Sequence, residues 1–278
     1  MTIIVTDTTC GLPRELLEPR GILLIPQSVI FGEESFHDDS ELDTATFLRK
    51  LKASPTLPKT AAPEPKLYCP VFRLVQEKGE GVIVVAPTTK ASGTLRSAEM
   101  AAQNFPQLDI RTIDTLTIAG NLGSLVLMAD QCAKDGADID RVINRLHEMI
   151  PRGRIYFLVD TLEYLQKGGR IGGAKALVGE LLQVKPILTI RDGQVEPFEQ
   201  HRTKKRALAR LIEIVKEQCP KTEEAYLCVM QADALDEARE LVSRIQSEMG
   251  CGKIPIYELP PAIVVHAGPG ALAVGFFI

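Results

Sequence analysis

GVIVVAPTTKASGTLRSAEMAAQNF, residues Gly81 to Phe105, runs from a strand through a polar loop into a helix. GVIVV is almost continuously apolar, the pattern of a strand covered on both faces, and from Ser92 onward apolar residues recur at helical spacing. A buried strand that feeds a helix through a short loop is the repeating unit of a parallel sheet. The same alternation continues on both sides. IIVTD, ILLIPQSVIF and LDIRTID read as further strands, and ATFLRKLKA and EPKLYCPVFRLVQEKG as amphipathic helices.

Two more helical patterns, from Ile118 to Lys134 and from Ile139 to Met149, precede Pro151 and Gly153, which punctuate the chain. The expectation is a Rossmann-like α/β domain with a parallel sheet over residues 1–152. The second half opens with RIYFLVD, and PILTIR and QVEPFEQ flank Asp192-Gly193, a hairpin signal. A helix, a strand, a helix and three short terminal strands should complete an α+β domain, residues 153–278, with a largely antiparallel sheet. At the very end, Gly268 and Gly270 on either side of Pro269 allow a tight turn. That turn holds His266 at the end of the apolar run PPAIVV, where it can face a ligand.

Composition limits what such a ligand site can be. The balance of 32 Lys+Arg against 36 Asp+Glu leaves a net charge of −4, which gives no nucleic-acid footprint. Six cysteines lie scattered without CxxC or Cys/His ligand spacing, so reduced thiols, a cytoplasmic location and no metal are expected. No signal peptide is expected ahead of the strand-like TIIVTD. The longest apolar stretch, LGSLVLMA, is too short to span a bilayer, and stable membrane insertion is not expected.

Four local features carry chemistry. In LPKTAAPEP (Leu57 to Pro65), prolines restrict a loop that exposes Thr60, whose hydroxyl can donate to an anion or simply cap a turn. In the loop after GVIVV, Ser92 stands where the helix begins. Its hydroxyl and the backbone N–H of Gly93 can hold a carboxylate or phosphate at the positive helix end, although Ser92 serves equally as an N-cap. TLEYLQKGGRIGG places Arg170 after a glycine hinge, to reach an anion or to form a salt bridge between helices. HRTKKRALAR begins a helix with Arg202, Lys204, Lys205 and Arg206, a solvated face or a dock for an acidic or phosphorylated partner. Neither GxxxxGK[ST] nor GxGxxG occurs, so nucleotide binding has no motif behind it.

TDTTCGLP, PKTAAPEP, the SGT loop, LEYLQKGGRIGG, VKPILTIRDGQVEP and HAGPGALAVGFF follow one another in an order that resembles the DegV family along nearly the whole chain. The resemblance implies a two-domain fold with a long-chain fatty acid such as palmitate, stearate or oleate in an apolar tunnel between or beside the domains. It implies no catalytic residue and no cofactor: a partner fatty acid kinase does the ATP chemistry, converting the presented carboxylate to an acyl phosphate that feeds phospholipid synthesis. By the same resemblance the carboxylate site falls on Thr60, Ser92 and the Gly93 backbone with His266 nearby. Arg170 of the GGRI motif lies near the headgroup, and with Arg202, Lys204, Lys205 and Arg206 it forms or borders the kinase dock. Family members commonly read Thr-Ser-Gln-Pro where this chain has Thr60-Ala61-Ala62-Pro63, and two serines where Thr88 and Thr89 stand.

The physics agrees with a lipid. About fourteen buried methylenes at roughly 0.8 kcal/mol each contribute about 11 kcal/mol before the costs of binding, against about 1.5–3 kcal/mol for a charged hydrogen bond. The tail dominates affinity and the polar site sets orientation. Ile118, Ala119, Leu122 and Gly123, in a helix with room for a neighbour, are the expected tunnel wall, so a large residue at Gly123 should shorten the accepted chain. Two rivals remain. A serine esterase or thioesterase would use Ser92, His266 and Asp7 or Asp114, although KASGT is not a GxSxG elbow. A small-molecule anion or sugar-phosphate binder would use the same polar groups.

Overall fold

The structure, a computed structural model, describes residues 2–178 and 184–278. Its first sheet is parallel and four-stranded, in the order β2 (Leu23–Ile25), β1 (Thr2–Asp7), β6 (Gly81–Ala86), β7 (Ile110–Asp114). Ten α-helices are described: α1 (Arg14–Leu17), α2 (Thr44–Ala53), α3 (Tyr68–Lys78), α4 (Thr94–Ala102), α5 (Ala119–Lys134), α6 (Ile139–Met149), α7 (Glu163–Lys167), α8 (Lys204–Gln218), α9 (Leu235–Met249) and α10 (Pro261–Ala267). Successive residues of a strand point to opposite faces. Ile4, Ile83 and Val85 therefore meet α5 and α6 through Leu122, Leu125 and Leu146, whereas Val5, Val82 and Val84 meet Phe72 of α3 and Ala98 of α4. Helices on both faces explain the unbroken apolar run at GVIVV.

ILLIPQSVIF, expected as one strand, is two strands in different sheets. Pro26 has no N–H for a ladder, and the Gln27 N–H turns away to Thr8 Oγ1 (3.1 Å) and Asp38 Oδ1 (3.0 Å). The chain therefore leaves the parallel sheet after β2 and enters a second, antiparallel one, ordered β4 (Glu34–His37), β3 (Ser28–Phe31), β5 (Lys59–Ala61). This small sheet lies against α2 and α10, with Val29 and Phe47 in one core with Leu259 and Val264.

A six-stranded sheet takes the order β10 (Gln194–His201), β9 (Lys185–Arg191), β8 (Gly153–Leu158), β13 (Leu272–Phe277), β11 (Cys228–Gln231), β12 (Ile256–Glu258). All its pairings are antiparallel except β11 with β12. Asp192 (φ 50°) and Gly193 (φ 79°) turn the β9–β10 hairpin with both residues left-handed, as a two-residue hairpin loop requires. One face packs under α8 and α9 through Leu211, Val215, Leu241 and Ile245. The other faces α7, α10 and the small sheet.

Two terminal strands are present rather than three, because the run PPAIVV is helical. Pro260 caps α10 in an extended conformation, Pro261 takes the first helical position where its fixed φ and missing N–H cost nothing, and Gly268 at φ 78° stops it. His266 thus belongs to the last turn of a helix.

Candidate functional site

A cavity of about 340 Å³ lies between the carboxyl edge of the parallel sheet and the inner face of the six-stranded sheet. That volume is at the lower end of the roughly 300–1,000 Å³ usual for small-molecule sites. Ile155 and Phe157 of β8, Ile190 of β9, Val195 of β10 and Leu259 and Ile263 supply much of an apolar lining, interrupted by Thr60, Ser92, Arg170 and His266. There residues of the small and six-stranded sheets meet the segments that follow the strands of the parallel sheet, among them Thr9, Gln27 and Thr88.

Thr60 sits on β5 opposite Val29, and its Oγ1 lies 2.9 Å from His266 Nε2. The other ring nitrogen, Nδ1, is buried with no partner. Burial, reinforced by the nearby Arg170 cation, lowers the His266 pKa to about 4, so the ring is neutral. Orphaned N–H groups are rarer than under-used acceptors, which puts the single ring proton on Nε2. His266 then donates to Thr60, and the Thr60 proton is free for the cavity. Gly168 makes this fit possible: a Cβ there would stand 2.2 Å from His266 Nδ1.

Ser92 Oγ lies 2.9 Å from Thr94 Oγ1 and accepts from the Thr94 N–H at 3.3 Å. Gly93 is the N-cap residue of α4, so the positive end of that helix opens beside Ser92. Arg170 makes no interhelical ion pair with any described carboxylate. Its Nε donates to the Ala91 carbonyl (3.0 Å) and its Nη1 to the Gly168 carbonyl (2.7 Å), which holds an unneutralised cation next to Ser92. A surface cleft continues outward past Arg170, Lys90 and Arg96.

The basic run is exposed at the start of α8, except for Lys204. Lys204 is bound by Asp160 (3.2 Å) and Glu237 (2.8 Å), leaving Arg202, Lys205 and Arg206 as the charges on offer. Two expected wall residues lie elsewhere. Ile118 and Ala119 border the cavity, but Leu122 is packed in the core under the parallel sheet, and a Cβ at Gly123 would meet the Cys10 carbonyl oxygen at 2.7 Å. A large side chain at Gly123 would displace the turn after β1 instead of shortening a ligand. Helix α5 turns that flank toward Cys10 and Leu12, an orientation that small-residue spacing alone does not specify.

Sequence reasoning also missed Gln27, Thr94 and Asp38. Gln27 Nε2 donates to Asp7 Oδ2 (2.6 Å) and Thr94 Oγ1 (2.8 Å), while Asp38 accepts from Thr8 Oγ1 (2.7 Å). The signal was present: a polar Gln after Pro26 inside an apolar run, and TDTT directly after a buried strand. This network occupies Asp7, and Asp114 holds the Thr89 backbone N–H. His266 bonds Thr60 and not Ser92, so no nucleophile–base–acid relay is assembled.

The model for the family described as "uncharacterised protein, DegV family" matches residues 1–278. The chain belongs to the DegV family. A DegV domain-containing protein of Halalkalibacterium halodurans is 34% identical over 276 residues, covering 99% of this chain and 98% of that protein. DegV from Bacillus subtilis, a fatty acid binding protein, matches in structure with TM-score 0.89 and 30% identity over 100% of this chain and 99% of that one. A stearic-acid-binding protein from Eubacterium ventriosum matches with TM-score 0.89 and 26% identity over 100% and 98%. Against the usual DegV pattern, this chain's Thr88 is buried and donates to the Gly193 carbonyl at 3.1 Å, joining the hairpin tip to the loop after β6. Ala62 faces Gly93, 3.3 Å from where a Cβ would stand.

Proposed function

We propose that this DegV protein binds one long-chain fatty acid, such as palmitate, stearate or oleate, with its tail in the cavity and its carboxylate at Thr60, Ser92 and Gly93. The reading rests on one observation: a largely apolar cavity carries two hydroxyls, a neutral histidine and an unpaired arginine close together. Thr60 donates its proton to one carboxylate oxygen, backed by His266 Nε2–H. Ser92 and the start of α4 receive the other. The apolar lining disfavours a sugar phosphate, whose hydroxyls would be left without partners.

The protein acts in the cytoplasm as a carrier rather than an enzyme. It consists of residues 1–152 and 153–278 with the lipid between them, and presents the acid to a fatty acid kinase. There a carboxylate oxygen attacks the γ-phosphorus of ATP and ADP leaves, giving an acyl phosphate whose extra negative charge Arg170 can meet. Arg202, Lys205 and Arg206, with Arg170 at the border, form the dock. Protein loaded with carboxyl-¹³C palmitate and mixed with kinase and ATP should show the carboxyl resonance move to that of an acyl phosphate. The double reversal Arg202→Glu, Arg206→Glu should slow this conversion at least about ten-fold, equivalent to about 1.4 kcal/mol, while the palmitate stays bound. Unchanged conversion would reduce the cluster to a solvated face, and no conversion by wild type would remove the kinase partnership.

A further inference from the structure

Asp7 is fully buried at the end of β1, behind the residues that line the cavity. Its Oδ1 accepts from the Thr9 N–H (2.9 Å) and the Thr9 hydroxyl, and its Oδ2 contacts Gln27 Nε2 (2.6 Å) and the Thr94 hydroxyl. The titratable groups that face it are Asp38 after β4, Cys10 in the turn after β1, and Tyr68 at the start of α3. No cation pairs with Asp7 among the described residues. Two buried carboxylates joined through Gln27, without a counter-ion, disfavour a charge on both.

The hydroxyl chain Asp7–Thr94–Ser92 can run in two directions, and hydrogen-bond counting separates them. If Asp7 is ionised, Thr94 donates inward to it, and Ser92 donates inward to Thr94. Ser92 then has only lone pairs for the cavity. If Asp7 carries a proton on Oδ2, that proton goes to Thr94 Oγ1. The two acceptor sites of Thr94 are then filled by Asp7 and Gln27, and its own proton turns toward Ser92. Ser92 Oγ accepts from the Thr94 hydroxyl and the Thr94 N–H, and its proton points outward. In this arrangement every donor has a partner or faces the ligand.

We propose that Asp7 is a positioning residue: by holding a proton of its own, it turns the Thr94–Ser92 chain outward, so that Ser92 donates to the bound carboxylate. This inference rests on the fatty-acid reading of the site and adds the group that sets the donor polarity. The direction of the Asp7 pKa supports it, since burial, opposed by bonds from Thr9, Thr94 and Gln27, raises it.

The test uses full-length protein with ¹³C at its aspartate carboxyl groups, at pH 7. The Asp7 resonance, identified by its loss in Asp7→Asn and separated from Asp38 by Asp38→Asn, should have the shift of a protonated acid. Ser92→Ala, which loses the outward donor, should bind palmitate at least about ten-fold more weakly than wild type. An Asp7 resonance at the ionised position, or palmitate affinity unchanged in Ser92→Ala, overturns the proposal. Should Asp7→Asn not fold, Thr94→Val supplies the assignment by shifting the resonance of its bonded carboxyl. Failure of wild type itself to take up palmitate would remove the fatty-acid reading, while the resonance would still decide whether Asp7 carries the proton.

Discussion

Ala273→Phe should give a folded protein that takes up almost no palmitate. Ala273 is a buried residue of β13 that lines the cavity, with Met230 and Phe157 opposite it on the neighbouring strands. The added ring has empty space to enter, so overpacking strain stays toward the lower end of the roughly 1–3 kcal/mol such insertions cost. It displaces about six methylenes of the tail, worth about 5 kcal/mol at roughly 0.8 kcal/mol each, and so more than about a thousand-fold in affinity. A melting curve near that of wild type together with loss of palmitate in a titration is the expected pair of results. Unchanged affinity in a folded variant would put the acyl chain elsewhere. If the ring prevents folding, Ala273→Leu provides the smaller step, with a correspondingly smaller loss.

The second large effect is on acid stability. The folded protein keeps His266 neutral down to about pH 4, against 6.5 for an ordinary histidine, chiefly because the ring is buried and secondarily because Arg170 is near. The unfolded chain therefore takes up that proton first as pH falls. The stabilisation from a neutral His266 is complete above pH 6.5 and lost by about pH 4, and a gap of about 2.5 units corresponds to about 3 kcal/mol. Asp38 runs the other way: burial raises its pKa to about 7, so its contribution is full below its ordinary value of 3.8 and disappears as pH rises through 7. The two oppose each other in wild type, so the quantity to measure is a difference. Denaturant unfolding of wild type and His266→Gln at pH 7 and pH 4 should show wild type losing about 3 kcal/mol relative to the variant on acidification. Parallel curves would mean that His266 titrates normally.

Where the fold was legible in the sequence, one physical cause sufficed. Alternate residues of GVIVV meet helices on opposite faces, so the strand is apolar throughout and cannot be mistaken for an exposed one. Asp192-Gly193 named its hairpin because few other residues adopt two consecutive left-handed conformations. Where two tertiary effects competed, local pattern was insufficient. PPAIVV suits a buried strand as well as a buried helix, and the outcome depends on Pro260 and Pro261 starting a helix that Gly268 can end. The break at Pro26 depends on Thr8 and Asp38, distant in sequence, capturing the Gln27 N–H.

The site divides in the same way. Thr60, Ser92, Arg170 and His266 all border the cavity, each flagged by a turn, a helix start or a glycine hinge. Gly123 was misplaced because a small residue on a helix indicates close approach without naming the neighbour, here the Cys10 carbonyl. Gln27 and Thr94 went unnoticed because each looks locally like a loop residue or a helix start. Their role comes from sharing one buried carboxylate.

Native mass spectrometry of the purified protein, followed by denaturation and identification of the released lipid, tests the central claim most directly. The account predicts one long-chain fatty acid per chain, lost on denaturation and regained on adding palmitate or oleate. A protein that emerges empty and takes up neither acid would contradict it, leaving the DegV fold without the carrier function proposed for it.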